Sequence, residues 1–286
     1  MKTLNKNKRK KLLVKRGAAV CLVAVVAIVS ACIIQRKYNK KNQVSAYNST
    51  KVIKKSKIKK VKSKDNKLSG ADVFNIENCA PGVVEPWVTK KDSPHKVAYL
   101  TFDDGPSINT RKILDILNQN NIKATFFLIG KNVERYPDLA KLEVANGETV
   151  ANHTYSHVLN YRESPDVFVN DINRCDTVLK SVLGDKYIPK FVRFPGGAFG
   201  RRIPPFKAAV TNAGYRFINW NALDGDAEHP LSSVDYLMDR VRTTVQGKKV
   251  VVILMHDAAA KTTTVQALPQ IIQYLKSQGY SFGQLQ

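Results

Sequence analysis

Apolar and polar positions along the chain fall into two regimes that meet near residue 70. Beyond it, short apolar runs alternate with longer stretches whose apolar residues recur every three or four positions. Residues 96–102 are rich in β-formers and end in Asp103-Asp104-Gly105-Pro106, a turn signal. Residues 109–121 predict a helix through Ile113, Leu114, Ile116 and Leu117, and 124–129 a buried strand closed by Gly130. A helix over 137–146, a short strand over 148–151 and a long amphipathic helix over 165–183 follow. The pattern continues with strands at 191–193, 216–220 and 249–255 and helices at 204–213, 232–246 and 264–278. Strand and helix taking turns in this way predict an α/β domain with a parallel sheet, either open or closed as a barrel.

The first regime is different. Residues 17–34 contain no charge, a length just sufficient to span a bilayer as a helix. Eight basic side chains precede this run within 16 residues, and Arg36, Lys37, Lys40 and Lys41 follow it, a bias that places the N-terminus inside. A signal-anchor is expected, with residues 1–16 as a basic cytoplasmic segment. Two alternatives stay open. Val29-Ser30-Ala31-Cys32 resembles a lipobox, which would anchor a lipoprotein through Cys32, and simple cleavage would secrete the domain. Residues 35–70, rich in Lys, Asn and Ser, read as a disordered basic linker. The domain at 71–286 would then lie outside the cell membrane on a single-pass tether.

Charge sharpens the division. Residues 1–70 hold 21 Lys and Arg against one acid, and residues 71–286 hold 25 against 22, giving +20 and +3. The positive charge belongs to the tail, so no nucleic-acid partner is expected for the domain. Four cysteines in 286 residues exclude a disulfide scaffold, although Cys79 and Cys175 could pair in an oxidising compartment.

Chemically able residues recur where the strands end: Asp103 and Asp104, His153 and His157, Arg193, Asp226, and His256. Strand C-termini share one face in a β/α barrel, so these side chains would converge. His153 and His157 are four apart, which on a helical turn would aim both imidazoles at one metal. With a neighbouring carboxylate they make a three-ligand site with open positions, as zinc catalysis requires. In the Asp103-Asp104 pair one carboxylate could bind the metal while the other serves as general base, since consecutive side chains point different ways. His256 could be a general acid oriented by Asp226, and Arg193 could hold Asp103. Each residue also has a plainer reading: loop histidines, an Asx-turn, a satisfied edge histidine, a surface ion pair.

Thr101-Phe102-Asp103-Asp104-Gly105-Pro106, His153-Thr154-Tyr155-Ser156-His157, Arg193-Phe194-Pro195-Gly196-Gly197, Asp226 and Leu254-Met255-His256 resemble the five ordered motifs of the polysaccharide deacetylases, carbohydrate esterase family 4. The resemblance covers roughly residues 96–285. It implies a distorted (β/α)7 barrel and metal-dependent removal of acetyl groups from N-acetylated sugars. By that resemblance Asp103 is the base; Asp104, His153 and His157 bind Zn2+ or, alternatively, Co2+ or Ni2+; Arg193 orients Asp103; and His256 is the acid with Asp226 as its partner. Two departures stand out. Gly196 replaces an aromatic residue common in the third motif, though its backbone N–H can still donate to an oxyanion. Ala227 replaces a tryptophan common in the fourth, and Leu223 sits where a second acid is frequent. Phe194, Phe199 and Trp220 are the candidates for the missing apolar wall. A tethered domain facing the wall implies peptidoglycan N-acetylglucosamine as substrate, with chito-oligosaccharide and O-acetylated polymers as alternatives. The rival of another class is a non-catalytic wall-binding protein. A monomer is expected. Residues 71–91 read as a strap across the barrel's bottom with Trp87 packed inside.

Overall fold

The computed structural model describes residues 73–187 and 190–286; the expected segments at 1–16, 17–34 and 35–70 lie outside the described residues. Ten strands and eight α-helices follow one another along the described chain. They are β1 (Val73–Phe74), β2 (Gly82–Val84), α1 (Pro86–Thr89), β3 (Lys96–Gly105), α2 (Thr110–Asn120), β4 (Thr125–Leu128), α3 (Gly130–Arg135), α4 (Pro137–Ala145) and β5 (Thr149–Asn152). Then come α5 (Pro165–Leu183), β6 (Phe191–Val192), α6 (Pro204–Asn212), β7 (Arg216–Ile218), β8 (Ala222–Leu223), α7 (Val234–Val245), β9 (Val250–His256), α8 (Thr262–Ser277) and β10 (Tyr280–Leu285).

Every strand pairing is parallel, and the strands run β8-β9-β3-β4-β5-β6-β7-β2. The strand β3 is the hub. Along one edge it pairs with β9; along the other, its first half pairs with β10 and its second half with β4. Among the described residues no hydrogen-bonded ladder joins β7 to β8.

Two-residue periodicity sorts the strand side chains into two cores. Ala98, Leu100 and Phe102 of β3 pack with Phe126, Val251, Ile253 and Met255 against helices α2, α7 and α8. Val97 and Tyr99 face the other way, into a cluster with Phe127, Ala151, Phe191, Ile218, Val250 and Val252. Residues from six strands meeting in that one cluster require the sheet to curl. Phe74, Ile76 and Val84 join it, with Trp87 at its edge, so the segment before β3 packs into the curl. Cys79 and Cys175 are both free thiols, Cys175 within the helix-side core.

Helix boundaries have local causes. The helix α5 starts where Ser164 accepts from the Asp166 N–H with Pro165 in the first turn, and it stops at Gly184. One buried residue works against the fold. Glu143 of α4 is fully buried and neither carboxylate oxygen has a hydrogen-bond partner. Burial, then the charges of Asp257 and Glu148, hold its carboxyl well above the ordinary range. A raised carboxyl favours the fold below the unfolded value and loses that contribution as pH rises. Glu143→Met is therefore expected to raise stability by about 1–3 kcal/mol at neutral pH. Thermal melts at pH 5 and 8 should show the larger gain at pH 8, and a lowered Tm at both would refute the account.

Candidate active site

The same periodicity that fills the inner core also aims the polar residues. Val97 and Tyr99 point inward on β3, and Thr101 and Asp103 continue that face to the strand's C-terminal end. Ala151 points inward on β5 and His153 follows two residues later; Phe191 points inward on β6 and Arg193 follows; Val250 and Val252 set the face on which His256 ends β9. Apolar residues low on each strand and reactive ones at its end thus belong to one inward row.

Arg193 and Asp103 form the floor. Both are buried, and Arg193 Nη1 donates to Asp103 Oδ1 at 2.8 Å and to Thr101 Oγ1 at 2.8 Å. The rest of the guanidinium is held by the Asn219 carbonyl at 3.2 Å and the face of Phe127 at 4.1 Å. Burial raises the Asp103 carboxyl above its ordinary value against the opposing charges of Arg193 and His256.

Beside it, Asp104, His153 and His157 each offer one atom, and the three atoms lie within 4.8 Å of one another. The expected helical turn is not what brings the histidines together. Residues after β5 form an irregular loop in which Thr154 and His157 take left-handed backbone conformations, φ 67° and 59°. For a β-branched residue such as Thr154 that conformation is strained and needs support. Support comes from the Asn152 side chain, which accepts from the Thr154 N–H at 2.7 Å, and from Asp171 of α5, which accepts from the Ser156 N–H and hydroxyl. Gly130 lets the loop close on α3, because a Cβ there would meet the Tyr155 ring at 2.7 Å.

This trio fits a divalent cation. His153 Nδ1 lies 2.9 Å from the Arg193 carbonyl, so Nδ1 carries the proton and Nε2 presents its lone pair to Asp104 at 3.5 Å. Burial is the main cause that lowers the His153 pKa to about 3, which keeps the imidazole neutral. Asp104 Oδ1 is buried and 3.1 Å from His157 Nε2, yet it has no partner in hydrogen-bonding geometry. Two imidazole nitrogens and an orphan carboxylate oxygen are a donor set suited to zinc. A cavity of about 280 Å³ opens beside them, with Asp104, His157, Ile108, Asn132 and Tyr136 in its wall.

Across the site, Asp226 Oδ1 lies 2.6 Å from His256 Nδ1, while Oδ2 accepts from the His256 N–H at 3.0 Å and from Thr264 Oγ1 at 2.8 Å. Burial alone would lower the His256 pKa, but the hydrogen bond and charge of Asp226, with Asp103 and Asp104, raise it to about 9. Asp226 itself is lowered by His256 although burial opposes this. Gly196 sits exposed in the loop after Arg193 at φ 70°, and its N–H bonds to no described residue.

Several supporting residues escape a reading of the sequence. Asp171, Thr264 and Asn219 carry no motif and act from other elements. Asp224 is fully buried and its carboxyl is held well above the ordinary range by burial and by Asp226; its Oδ1 accepts from the Asp226 N–H. Asp257 adjoins His256 but points to the helix side, accepting from Ser107 and Thr110.

Comparison with known proteins gives a consistent result. The family model for polysaccharide deacetylase matches residues 90–218. A peptidoglycan-N-acetylglucosamine deacetylase of Bacillus cereus is 35% identical over 190 residues, 65% of this chain and 68% of that one. A bifunctional xylanase/deacetylase of Pseudobutyrivibrio xylanivorans is also 35% identical, over 65% of this chain and 29% of its own length. The structure of a Streptococcus mutans CE4 esterase superposes with a TM-score of 0.64 at 31% identity, covering 76% of this chain and 93% of that one. The chain belongs to the polysaccharide deacetylases, carbohydrate esterase family 4.

Proposed function

We propose that residues 71–286 form a metal-dependent deacetylase that removes the acetyl group of peptidoglycan N-acetylglucosamine and releases acetate. The observation that carries the reaction is the grouping on one face of a buried carboxylate, a three-ligand metal site and a hydrogen-bonded His–Asp pair. The substrate rests on the relatives' names and on the tether expected at residues 17–34, or at Cys32, which would hold the domain at the outer face of the cell membrane. A distorted (β/α)7 barrel is the finer reading of the curled sheet. Chito-oligosaccharide is the alternative substrate, and the xylanase/deacetylase relative favours O-acetylated polysaccharide as another.

Asp104, His153 and His157 would hold the cation, zinc or else cobalt or nickel. When bound, it supplies Lewis acidity to the acetyl carbonyl and makes water easier to deprotonate. Asp103 takes the proton of the attacking water, with Arg193 fixing the carboxylate's direction. The Gly196 N–H donates to the oxygen on which negative charge develops. His256, protonated and held by Asp226, delivers its proton to the departing amine.

The acid's role has a pH signature. A group that must be protonated is lost as pH rises through its pKa, so kcat should fall on the alkaline side, below pH 9 in the metal-loaded enzyme because a cation at Asp104 would oppose part of the rise. Asp226→Asn keeps an acceptor for Nδ1 but removes the charge, and the alkaline limb should move down by about one pH unit or more. An unmoved limb would remove His256 from the acid role.

The test of the whole reading is acetate release by the zinc-loaded full chain, with and without chelator, from peptidoglycan and from N-acetylglucosamine oligomers. Chelator-sensitive acetate from peptidoglycan is expected. Acetate from the oligomers alone would move the substrate, and none from either by a folded, zinc-loaded protein would favour a wall-binding protein.

A further inference from the structure

The loop between Arg193 and α6 carries an aromatic side chain that the chemistry above does not use. Phe199 is 51% exposed, whereas Phe194 is 1% exposed and packs on Phe168 and Phe217. Phe199 does not hang freely. Its ring meets Trp220 edge to face, with centroids 5.3 Å apart at 83°. Trp220 in turn lies 5.8 Å from the Arg193 guanidinium that holds Asp103.

The backbone beneath is shaped for this pair. Gly197 has φ 83°, and a Cβ there would come within 2.6 Å of the Phe199 ring and 2.8 Å of Trp220. Only glycine lets the two rings close over the chain at that point. The Gly197 N–H donates to the Phe194 carbonyl at 2.8 Å, and the Ala198 N–H donates to Asn219 Oδ1 at 2.8 Å. A half-exposed phenyl ring is thus pinned three residues from Gly196 and faces solvent on the side where the strands end. Leaving such a ring wet forgoes burial that the fold could otherwise use.

A pyranose ring offers one face of C–H groups, which complements an aromatic surface, and hydroxyls at its rim, which stay in water. We propose that Phe199, backed by Trp220, is the stacking platform for a sugar ring of the polymer adjoining the one that loses its acetyl group. The inference rests on the deacetylase reading for the identity of the polymer.

The test uses the zinc-loaded full chain and its Phe199→Ala and Phe199→Tyr variants. Metal content and Tm are checked first; metal content should not change, and loss of the Trp220 contact should lower Tm only slightly. For an N-acetylglucosamine tetramer, Phe199→Ala should raise KM about tenfold with kcat within about twofold, and Phe199→Tyr should restore KM. Calorimetric binding of a glucosamine tetramer, which has no acetyl group to lose, should weaken by a similar factor. With 4-nitrophenyl acetate, which carries no sugar, Phe199→Ala should match the parent. Unchanged tetramer KM and binding would overturn the proposal, as would an equal loss on 4-nitrophenyl acetate. If the parent binds the glucosamine tetramer without deacetylating any N-acetyl sugar, and Phe199→Ala loses that binding, the platform stands and the deacetylase reading falls.

Discussion

Asp103→Asn is expected to cut acetate release by about a thousandfold, within the range that general bases contribute. Asparagine has the size of aspartate and still offers an oxygen to Arg193 Nη1, now at 2.8 Å from Asp103 Oδ1. It cannot accept a proton from water. The substitution also leaves a fully buried guanidinium without its counter-charge. Breaking a buried pair from one side costs about 3–5 kcal/mol when nothing replaces it. Here Thr101 Oγ1, the Ile218 and Asn219 carbonyls and the Phe127 ring remain around Arg193, so the loss should lie at or below the lower end. Tm should therefore fall while the protein stays folded and loaded with zinc at a low assay temperature. Acetate release measured there separates the two effects. A folded, zinc-loaded variant that works at the parent rate would exclude Asp103 as base. A variant that loses acetate release but keeps its effect on the wall in living cells would favour the wall-binding reading.

Fold and site were legible in the sequence to different degrees, for physical reasons. Runs such as 249–255 and amphipathic stretches such as 165–183 carry their own period, and the structure places β9 at Val250–His256 and α5 at Pro165–Leu183. The strand β10 and the short β1 do not announce themselves. They exist because β3, far away in sequence, offers β10 an edge and β10 offers one to β1. The expected strand at 216–220 stops at Ile218 as β7, and a separate strand, β8, follows at Ala222–Leu223, with Asn219 and Asn221 turned to neighbouring backbone between them.

The histidine pair is more instructive: the two imidazoles meet as expected, but not on a helical turn. A spacing of four suits one helical turn, but it also suits a loop folded back by two left-handed residues. Nothing within His153–His157 separates these, because the support comes from Asn152, Asp171 and Gly130. Strand-end placement of the other polar residues was easier to read, since it follows from a period of two continued past the apolar part of each strand. The aromatic wall could not be chosen from sequence. Phe194 and Phe199 differ only in which way the glycine-rich turn between them sends each ring, and that is set by the Gly197 backbone and by Asn219.

Asp104→Asn should abolish metal retention and acetate release together. The choice of asparagine matters, because Asp104 has φ 70°, a left-handed conformation that Asn accepts better than most residues. Its backbone carbonyl, which accepts from Asn132 Nδ2 at 2.8 Å, is untouched, so the turn into Gly105 should persist. What changes is the charge on an oxygen that sits buried without a hydrogen-bond donor beside two imidazoles. In the parent, a bound cation would resolve that arrangement, with Asp104, His153 and His157 as its holders. Excess zinc at about 100 times the dissociation constant should accordingly stabilise the parent by about 2.7 kcal/mol and raise its Tm. In Asp104→Asn the orphaned charge is gone, so the zinc-free variant should be no less stable than the zinc-free parent, and zinc should move its Tm little. Metal analysis after dialysis should give one zinc per parent chain and little for the variant. Chelation should bring the parent down to the variant's acetate release, and zinc, cobalt or nickel should restore the parent alone. A variant that keeps its zinc and its rate would mean that the three-residue cluster is not the metal site.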